Sequence, residues 1–232
     1  METINRSMDE QHFVVKPHLL NTNLLNADYN LKLKRKNYQL APDSCIYTIP
    51  KLISPAECEA LIELGENIGF QASGLAIGQD LFRVKEKTRN NLRVMFEDCR
   101  MANILWSRMQ QLVDAKYDNR VAYGLNWRFR LYKYEIGGIF APHVDEQMDL
   151  PGEGDLSTRF TFMIYLNDNL QGGETTFFER RRKGQKQLTI SKVIRPKTGM
   201  GLAFDHLLFH EGSVVTKGVK YALRTDIVYR KL

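Results

Sequence analysis

The sequence predicts an α+β protein in which a helical part precedes a β core. Between about residues 54 and 117, apolar residues recur at helical spacing, whereas from about residue 125 they alternate in short segments separated by glycine turns. Helices followed by about eight short strands are typical of an α+β fold, and many short strands favour a closed or double-sheet core. We therefore predict one domain at 41–232, with its helical part at about 54–117 and its β core at about 125–232.

The first 40 residues are polar, rich in asparagine and weakly patterned, which favours a tail or an arm packed over the main domain. A short strand is expected at 47–50. Ser54, Pro55 and Glu57 then form the signature of a helix start, with serine as N-cap, proline at the first helical position and glutamate closing a capping box.

The middle of the chain predicts a loop and then a second helix. Residues 70–83 contain glycine and show no clear period, so we expect a loop there, and helical spacing resumes at about 98–117. Residues 148–156 form a long polar loop with two glycines and a proline. Strands are predicted at about 127–132, 139–145, 159–166, 175–178, 188–194, 201–204 and 221–229.

Composition indicates a soluble globular protein. The 232 residues are 43% hydrophobic and 26% charged, which is ordinary for such proteins. No apolar run approaches the ~20 residues that span a bilayer, and the first residues lack the apolar core of a secretory signal. Three widely spaced cysteines favour reduced thiols, so we expect a cytoplasmic protein that does not bind membranes.

The formal net charge of +6 is concentrated in two basic clusters, at 32–36 and 180–186. Such clusters can contact nucleic acid or acidic partners, but more often they are solvated loops. The chain has no zinc-finger spacing and no RNP-like aromatic motif, so a nucleic-acid partner is not favoured, although the charge permits one. No sequence feature indicates an oligomeric state.

Three residues form a candidate metal site: His143, Asp145 and His210. Two imidazoles and one carboxylate are the set that holds Fe(II) on one face and leaves its other positions open. If Val144 lies on a strand, His143 and Asp145 point to the same face because side chains alternate. His206, four residues before His210, is the alternative third ligand.

Several short motifs surround this set in a recognisable order. They are Tyr132-Lys-Tyr134, Gly137-Gly138, Pro142-His143-Val-Asp145, Arg159-Phe-Thr161, Tyr165-Leu-Asn167, Gly172-Gly-Glu174-Thr, Pro196-Lys-Thr-Gly199, His210-Glu and Gly218-Val-Lys220. In this order and spacing, residues 45–232 resemble the Fe(II)- and 2-oxoglutarate-dependent dioxygenases, most of all the prolyl 4-hydroxylase branch. The resemblance implies a double-stranded β-helix, or jelly roll, buttressed by N-terminal helices, and it assigns iron binding to His143, Asp145 and His210.

The resemblance also implies a cation for the distal carboxylate of 2-oxoglutarate. Lys220, ten residues after His210, occupies the position that the family uses. Arg224 lies four residues further along the same strand face, and its forked guanidinium suits a carboxylate better. The sequence favours Lys220 but leaves both open, with the other residue pairing with the cosubstrate's opposite end or with an acid such as Asp226.

Further residues follow from the same resemblance. Tyr134 and Tyr165 match tyrosines that hydrogen-bond 2-oxoglutarate, and Thr161, on the same strand face as Tyr165, could line the pocket. Residues 88–91, with Arg93, occupy the place of a family segment that lies beside the substrate cleft, although the residue types here differ from those of the family. The loop at 148–156 is either a mobile lid or a plain surface loop.

The resemblance implies hydroxylation of a C–H bond, first of all in a peptidyl proline, with release of succinate and CO₂. Fe(II), 2-oxoglutarate and O₂ would be required, with ascorbate as an optional reductant. The alternatives are another amino-acid residue, a small molecule or alkylated nucleic acid as substrate. An alternative of another class is a non-catalytic jelly-roll binding module.

Overall fold

In the computed structural model, side chains are described for most of the chain and the backbone alone for four short strands. The described residues are 24–27, 29, 32–40, 45–73, 88–150, 155–179 and 188–232, and the four strands lie at 5–6, 14–15, 75–78 and 81–83. The basic cluster predicted at 180–186, and residues 151–154 of the predicted lid, lie outside the described residues.

Two α-helices and one 3-10 turn are present among the described residues. Helix α1 spans Pro55–Ile68, helix α2 spans Cys99–Met109, and the 3-10 turn Gln110–Leu112 follows. The predicted capping box of α1 is confirmed, since the Glu57 backbone N–H donates to the Ser54 hydroxyl and the Ser54 N–H donates to the Glu57 carboxylate.

Helix α2 ends earlier than predicted. Its start is fixed by Asp98, whose carboxylate accepts the Met101 N–H at 2.8 Å. The prediction that it runs to residue 117 was wrong, because the backbone becomes extended at Val113 and Lys116–Tyr117 pairs as a strand with Arg120–Leu125. Apolar residues at 112 and 113 continue the helical spacing, but they pack as part of the turn.

The strands are numbered in chain order. They are β1 Asn5–Arg6, β2 Val14–Val15, β3 Lys36–Tyr38, β4 Ile46–Ile49, β5 Gln71–Ala72, β6 Leu75–Gly78, β7 Leu81–Arg83, β8 Leu92–Glu97, β9 Lys116–Tyr117, β10 Arg120–Leu125, β11 Arg128–Tyr134, β12 Phe140–His143, β13 Leu156–Tyr165, β14 Gln171–Gly172, β15 Thr175–Phe178, β16 Ile190–Ile194, β17 Gly201–Asp205, β18 His210–Gly212, β19 Val215–Lys217 and β20 Lys220–Lys231.

The stretch predicted as a loop at 70–83 is not a loop. It contains β5, β6 and β7, and β6 and β7 pair as an antiparallel hairpin. These strands are two to four residues long, so they are too short to show the period-two alternation that identifies a strand in a sequence.

Two sheets form the β core. The larger sheet has the order β2-β8-β11-β20-β13-β17-β4-β3, and β10 joins the far half of β20. The smaller sheet has the order β12-β18-β15-β16. All their pairings are antiparallel except that between β2 and β8. This architecture confirms the predicted double-sheet core, while the helices contribute less than predicted.

The larger sheet is buried on both faces. On β11, Phe129 and Leu131 belong to the core that also contains residues of α1 and α2. The intervening Arg130, Tyr132 and Tyr134 point the other way, into the space between the two sheets. Alternation along these strands therefore separates the helix-side core from the interior of the jelly roll, and not core from solvent.

A buried ion pair fastens the N-terminal arm to the helices. Arg108 on α2 lies 2.6 Å from the Glu57 carboxylate on α1, and both side chains are largely buried. The Asn26 N–H donates to Glu57 at 2.8 Å, and the Asn26 carbonyl accepts from Arg108. The Tyr29 ring covers the Arg108 guanidinium at 4.5 Å. Asn26 is thus tied to both helices at once, and Tyr29 to α2.

Among the described residues, neither helix has the length and apolar content that crossing a bilayer requires.

Candidate active site

The two candidate histidine ligands face each other across the smaller sheet. His143 ends β12 and His210 begins β18, and the two residues are direct partners in the antiparallel register. Their ring centroids are 4.3 Å apart. Potential ligand atoms of His143, Asp145 and His210 all lie within 4.8 Å of one another. The fold therefore brings together the three residues that the sequence singled out.

Asp145 reaches this cluster by a different route from the one predicted. Strand β12 ends at His143, so Val144 is not part of a strand, and its side chain is 48% exposed. The Asp145 N–H instead donates to the His206 carbonyl at 2.8 Å, which bends the chain back towards the sheet. The carboxylate then lies 3.6 Å from Nε2 of each histidine.

Both histidines present the nitrogen that a metal needs. Nδ1 of His143 lies 2.9 Å from the Ala141 carbonyl, and Nδ1 of His210 lies 2.8 Å from the Leu208 carbonyl. A carbonyl only accepts hydrogen bonds, so each Nδ1 carries a proton and Nε2 is the ring nitrogen left to face the site. Burial lowers the pKa of His210 to about 4, so that this ligand is neutral at pH 7.

Asp145 is held as a buried, charged carboxylate. The Thr161 hydroxyl donates to Oδ2, and Arg224 Nη1 lies 3.0 Å from Oδ1. Burial by itself would raise the pKa of Asp145, but the Arg224 guanidinium, with His143 and His210, holds that pKa well below its ordinary value. The site thus contains a fixed negative charge beside the two imidazoles.

The two candidate cations occupy different environments. The Arg224 guanidinium lies between Asp145 and Asp226, with Nη2 3.5 Å from Asp226 Oδ1. Lys220 is buried beneath Tyr134 and Tyr165, with Nζ 5.1 and 5.5 Å from their ring centroids. Within the described part of the chain, no carboxylate lies within ion-pair distance of Lys220. Burial lowers the pKa of Lys220 to about 8, although Glu174 partly opposes this.

Tyr134 lines the pocket beside Lys220, and the ring of Tyr165 lies against Lys220 from the buried core. Burial raises the pKa of both hydroxyls, so they remain protonated and can donate hydrogen bonds. The Tyr165 hydroxyl lies 2.7 Å from the Thr175 hydroxyl. One pocket connects Lys220 with the histidines and Asp145, and its other lining residues include Tyr134, Phe140, Met163, Thr175 and Phe204.

His206 is close to the cluster but is not part of it. It is fully buried, and its Nδ1 lies 3.3 Å from the Thr161 hydroxyl oxygen. That hydroxyl donates to Asp145, so it accepts from His206, and Nδ1 of His206 carries the proton. His206 therefore supports Thr161 and Asp145 from behind, whereas His210 faces His143.

The sequence did not single out Phe140 and Arg130, which contact site residues. The Phe140 ring stacks on His143 at a centroid distance of 3.6 Å, and the Arg89 guanidinium lies over Phe140 at 4.2 Å. A register shift between Phe140 and His143 brings these two side chains to one face, which regular alternation does not anticipate. Arg130 lies 3.6 Å from Asp226 and shares a strand face with Tyr132. The period-two alternation along this strand could therefore have identified Arg130.

The segment at 88–91 runs along the strand that leads to His143. The Ala141 N–H donates to the Thr88 carbonyl at 2.8 Å, and Arg89 forms an isolated bridge with Phe140. The described ends of the loop at 148–156 are also joined, since the Leu150 N–H donates to the Leu156 carbonyl.

Comparison with known proteins agrees with this geometry. The sequence model of the 2OG-Fe(II) oxygenase superfamily matches residues 129–225, which include all three clustered residues and both candidate cations. No curated protein sequence matches the chain.

Three similar solved structures are all prolyl hydroxylases. A viral collagen prolyl hydroxylase from Paramecium bursaria Chlorella virus-1, in complex with 2-oxoglutarate, is 18% identical, with 80% of this chain and 96% of that chain covered and a TM-score of 0.55. A prolyl-4-hydroxylase from Pseudomonas putida is 13% identical, with 81% and 92% covered and a TM-score of 0.51. A prolyl hydroxylase from Trichoplax adhaerens, in complex with a hypoxia-inducible-factor peptide, is 17% identical, with 78% and 82% covered and a TM-score of 0.56. At these identities the likeness establishes the jelly-roll fold.

Proposed function

We propose that the chain is a 2-oxoglutarate-dependent dioxygenase that hydroxylates a C–H bond of a peptidyl proline, since residues 129–225 match the sequence model of the 2OG-Fe(II) oxygenase superfamily. The overall reaction consumes 2-oxoglutarate and O₂ and releases succinate and CO₂. The observation that carries this proposal is a pocket lined by His143, Asp145 and His210 together with Lys220, a buried lysine that has no ion-pair partner among the described residues.

The donor set fits Fe(II). Two imidazoles and one carboxylate are the ligands of non-haem iron oxygenases, and the candidate ligand atoms of His143, Asp145 and His210 lie within 4.8 Å of one another. The Nδ1–H hydrogen bonds to the Ala141 and Leu208 carbonyls fix the ring orientations. His143, Asp145 and His210 would therefore hold the metal.

Lys220 fits the distal carboxylate of 2-oxoglutarate. The Lys220 ammonium is fully buried and has no acidic partner among the residues that the structure describes, so it has lost its hydration, and a bound carboxylate would restore the missing interaction. The Tyr134 and Tyr165 hydroxyls are protonated and could donate to carboxylate oxygens of the same molecule. Arg224 is engaged by Asp145 and Asp226 and is therefore the weaker candidate for this role.

Bound Fe(II) and 2-oxoglutarate supply the oxidising chemistry that couples decarboxylation to oxygen insertion into a C–H bond. The chain's own residues supply position and exclusion of water. Phe140 packs flat against His143 and keeps its ring from rotating. Thr161 and Arg224 hold the Asp145 carboxylate in place. Phe204 packs edge-on against His210, which closes the inner side of the pocket to water.

The substrate proposal rests on the similar solved structures. All three are prolyl hydroxylases, and one of them holds a peptide. In this chain, the segment at 88–91 lies against β12 and places Arg89 beside Phe140, next to the candidate metal ligands. A peptide that enters along this segment would bring a prolyl ring towards His143.

The test is turnover with Fe(II), 2-oxoglutarate, ascorbate and a pool of proline-containing peptides. We expect succinate to form in proportion to peptides that gain one oxygen on proline, as read by mass spectrometry. A matched pool with proline replaced by alanine, free proline and an alkylated oligonucleotide serve as alternative substrates.

The His210→Ala variant is the control, because it removes one imidazole ligand and should give no succinate. Succinate formation with oxygen gained only in one of the alternative substrates would reject the prolyl assignment. A wild-type protein that binds Fe(II) but converts no 2-oxoglutarate with any substrate would reject the enzyme assignment in favour of a binding module.

A further inference from the structure

We infer that Arg224 is a positioning residue that keeps one oxygen of Asp145 away from the metal, so that the carboxylate offers a single ligand atom. This inference rests on the proposed iron site. Nothing in the sequence pattern indicated the contact, because Arg224 and Asp145 are 79 residues apart in the chain.

The two oxygens of Asp145 have different hydrogen-bond donors. Oδ1 lies 3.0 Å from Nη1 of Arg224, a charged donor. Oδ2 accepts from the hydroxyl of Thr161, a neutral donor. A hydrogen bond to a charged donor is roughly twice as strong as one between neutral groups. Electron density is therefore drawn more strongly from Oδ1, which leaves Oδ2 as the better donor to a metal.

The surroundings of Arg224 fix this asymmetry. Its Nη2 lies 3.5 Å from Oδ1 of Asp226 and 3.4 Å from the Thr161 hydroxyl oxygen. Asp226 is fully buried and also lies 3.6 Å from Nη1 of Arg130. One guanidinium thus bridges two buried carboxylates that lie on different elements. Such a fork has one preferred orientation, which a lysine ammonium would not have.

A consequence for the metal follows. A carboxylate that binds through both oxygens takes up one more coordination position than a carboxylate that binds through one. 2-Oxoglutarate needs the open positions that two imidazoles and one carboxylate oxygen leave. With Arg224 holding Oδ1, Asp145 would occupy one coordination position of the metal, and the positions that the protein does not fill would stay available to the cosubstrate.

The test uses Mn(II), which reports its bound waters through water-proton relaxation, and the variant Arg224→Gln. We expect Arg224→Gln to bind Mn(II) with an affinity within about 3-fold of wild type, since the three ligands remain. We also expect one bound water fewer than in wild type, and an affinity of the Mn(II)-loaded protein for 2-oxoglutarate that is lower by about 10-fold or more. None of these readouts requires turnover.

Arg130→Gln is the matched control. It removes the same charge from the same buried cluster and touches Asp226, but Arg130 has no contact with Asp145. Its water count and 2-oxoglutarate affinity should equal those of wild type. If Arg224→Gln does not fold, the double variant Arg224→Gln/Asp226→Asn removes the cation and its second carboxylate together, and the same losses are expected.

Three results would overturn the inference. The first is an unchanged water count in Arg224→Gln with unchanged 2-oxoglutarate affinity. The second is an unchanged water count with weakened 2-oxoglutarate binding, which would mean that Arg224 touches the cosubstrate directly. The third is an equal loss of water in Arg130→Gln. If wild type itself binds no Mn(II) at this site, the proposed function fails, and that outcome is distinct from all three.

Discussion

Replacing Lys220 by methionine is expected to stabilise the cosubstrate-free protein while it weakens the binding of 2-oxoglutarate. Burial lowers the pKa of Lys220 from 10.5 to about 8. At about 1.4 kcal/mol per pKa unit, the protonated lysine costs the folded state about 3 kcal/mol. Methionine has a similar length and no charge, so it removes this cost. For a chain of this size, the unfolding midpoint would rise by about 6–12 °C.

The stabilisation depends on pH with a definite sign. Because the pKa of Lys220 is lower in the folded state than in the unfolded state, the unfolded state binds more protons between about pH 8 and 10.5. The cost to the wild-type protein is complete below about pH 8 and declines as the pH rises towards 10.5. The difference in midpoint between Lys220→Met and wild type should therefore be large at about pH 7 and small at about pH 10.

Binding of 2-oxoglutarate should change in the opposite direction. Removing one partner of a buried, hydrogen-bonded charge pair costs about 2–5 kcal/mol, which is a loss of affinity from about 30-fold to several thousand-fold. The measurement is calorimetric titration of 2-oxoglutarate into the Mn(II)-loaded protein. Added 2-oxoglutarate should then raise the unfolding midpoint of wild type but not that of Lys220→Met.

Lys217→Met is the matched control, since Lys217 is an exposed lysine three residues earlier in the chain. It should change neither the midpoint nor the affinity. The reasoning is wrong if Lys220→Met lowers the midpoint of the cosubstrate-free protein, or if its affinity for 2-oxoglutarate stays within about 3-fold of wild type.

Three further predictions concern the metal site and the scaffold. His210→Ala should abolish Mn(II) binding, as measured by calorimetry. His206→Ala should weaken Mn(II) binding less than about 10-fold, because His206 acts only through Thr161. If His206→Ala has the larger effect, the third ligand is His206. Arg108→Met leaves its glutamate partner buried and unpaired, so the free energy of unfolding in urea should fall by about 3–5 kcal/mol. Gly172→Ala should lower the free energy of unfolding by about 2–5 kcal/mol, because φ is +73° and the new Cβ would lie 2.1 Å from a carbonyl oxygen. Gly124→Ala has open space around the new Cβ and should lower the free energy of unfolding by about 1 kcal/mol or less.

The sequence predicted those parts of the fold whose signals are local. The start of α1 was found because Ser54, Pro55 and Glu57 form a cap within four residues. The long strands β13 and β20 were found because each runs for ten residues or more. The strands between 71 and 83 were missed because each is too short to show a period, and because β5 also pairs with a strand outside this stretch, β8.

In the candidate site, too, residues with a local sequence signal could be predicted and contacts that depend on tertiary packing could not. His143 and His210 could be singled out because residue type and spacing indicate a ligand. The contact between Arg224 and Asp145 could not be predicted, because it depends on how β20 lies across the pocket from the end of β12. The stack of Phe140 on His143 needs a register shift that a regular strand pattern does not contain. Both features come from tertiary packing alone.

Strand β13 has different contacts on its two faces. Its Phe160, Phe162 and Ile164 join the core shared with the helices, while Thr161 and Met163 face the pocket. A substitution on one face has few contacts in common with a substitution on the other, so their effects on stability and on chemistry should be close to additive. The pocket-facing positions can therefore be randomised as a library while the helix-facing positions are held constant. Substrate preference can then change in the library variants without an equal loss of stability.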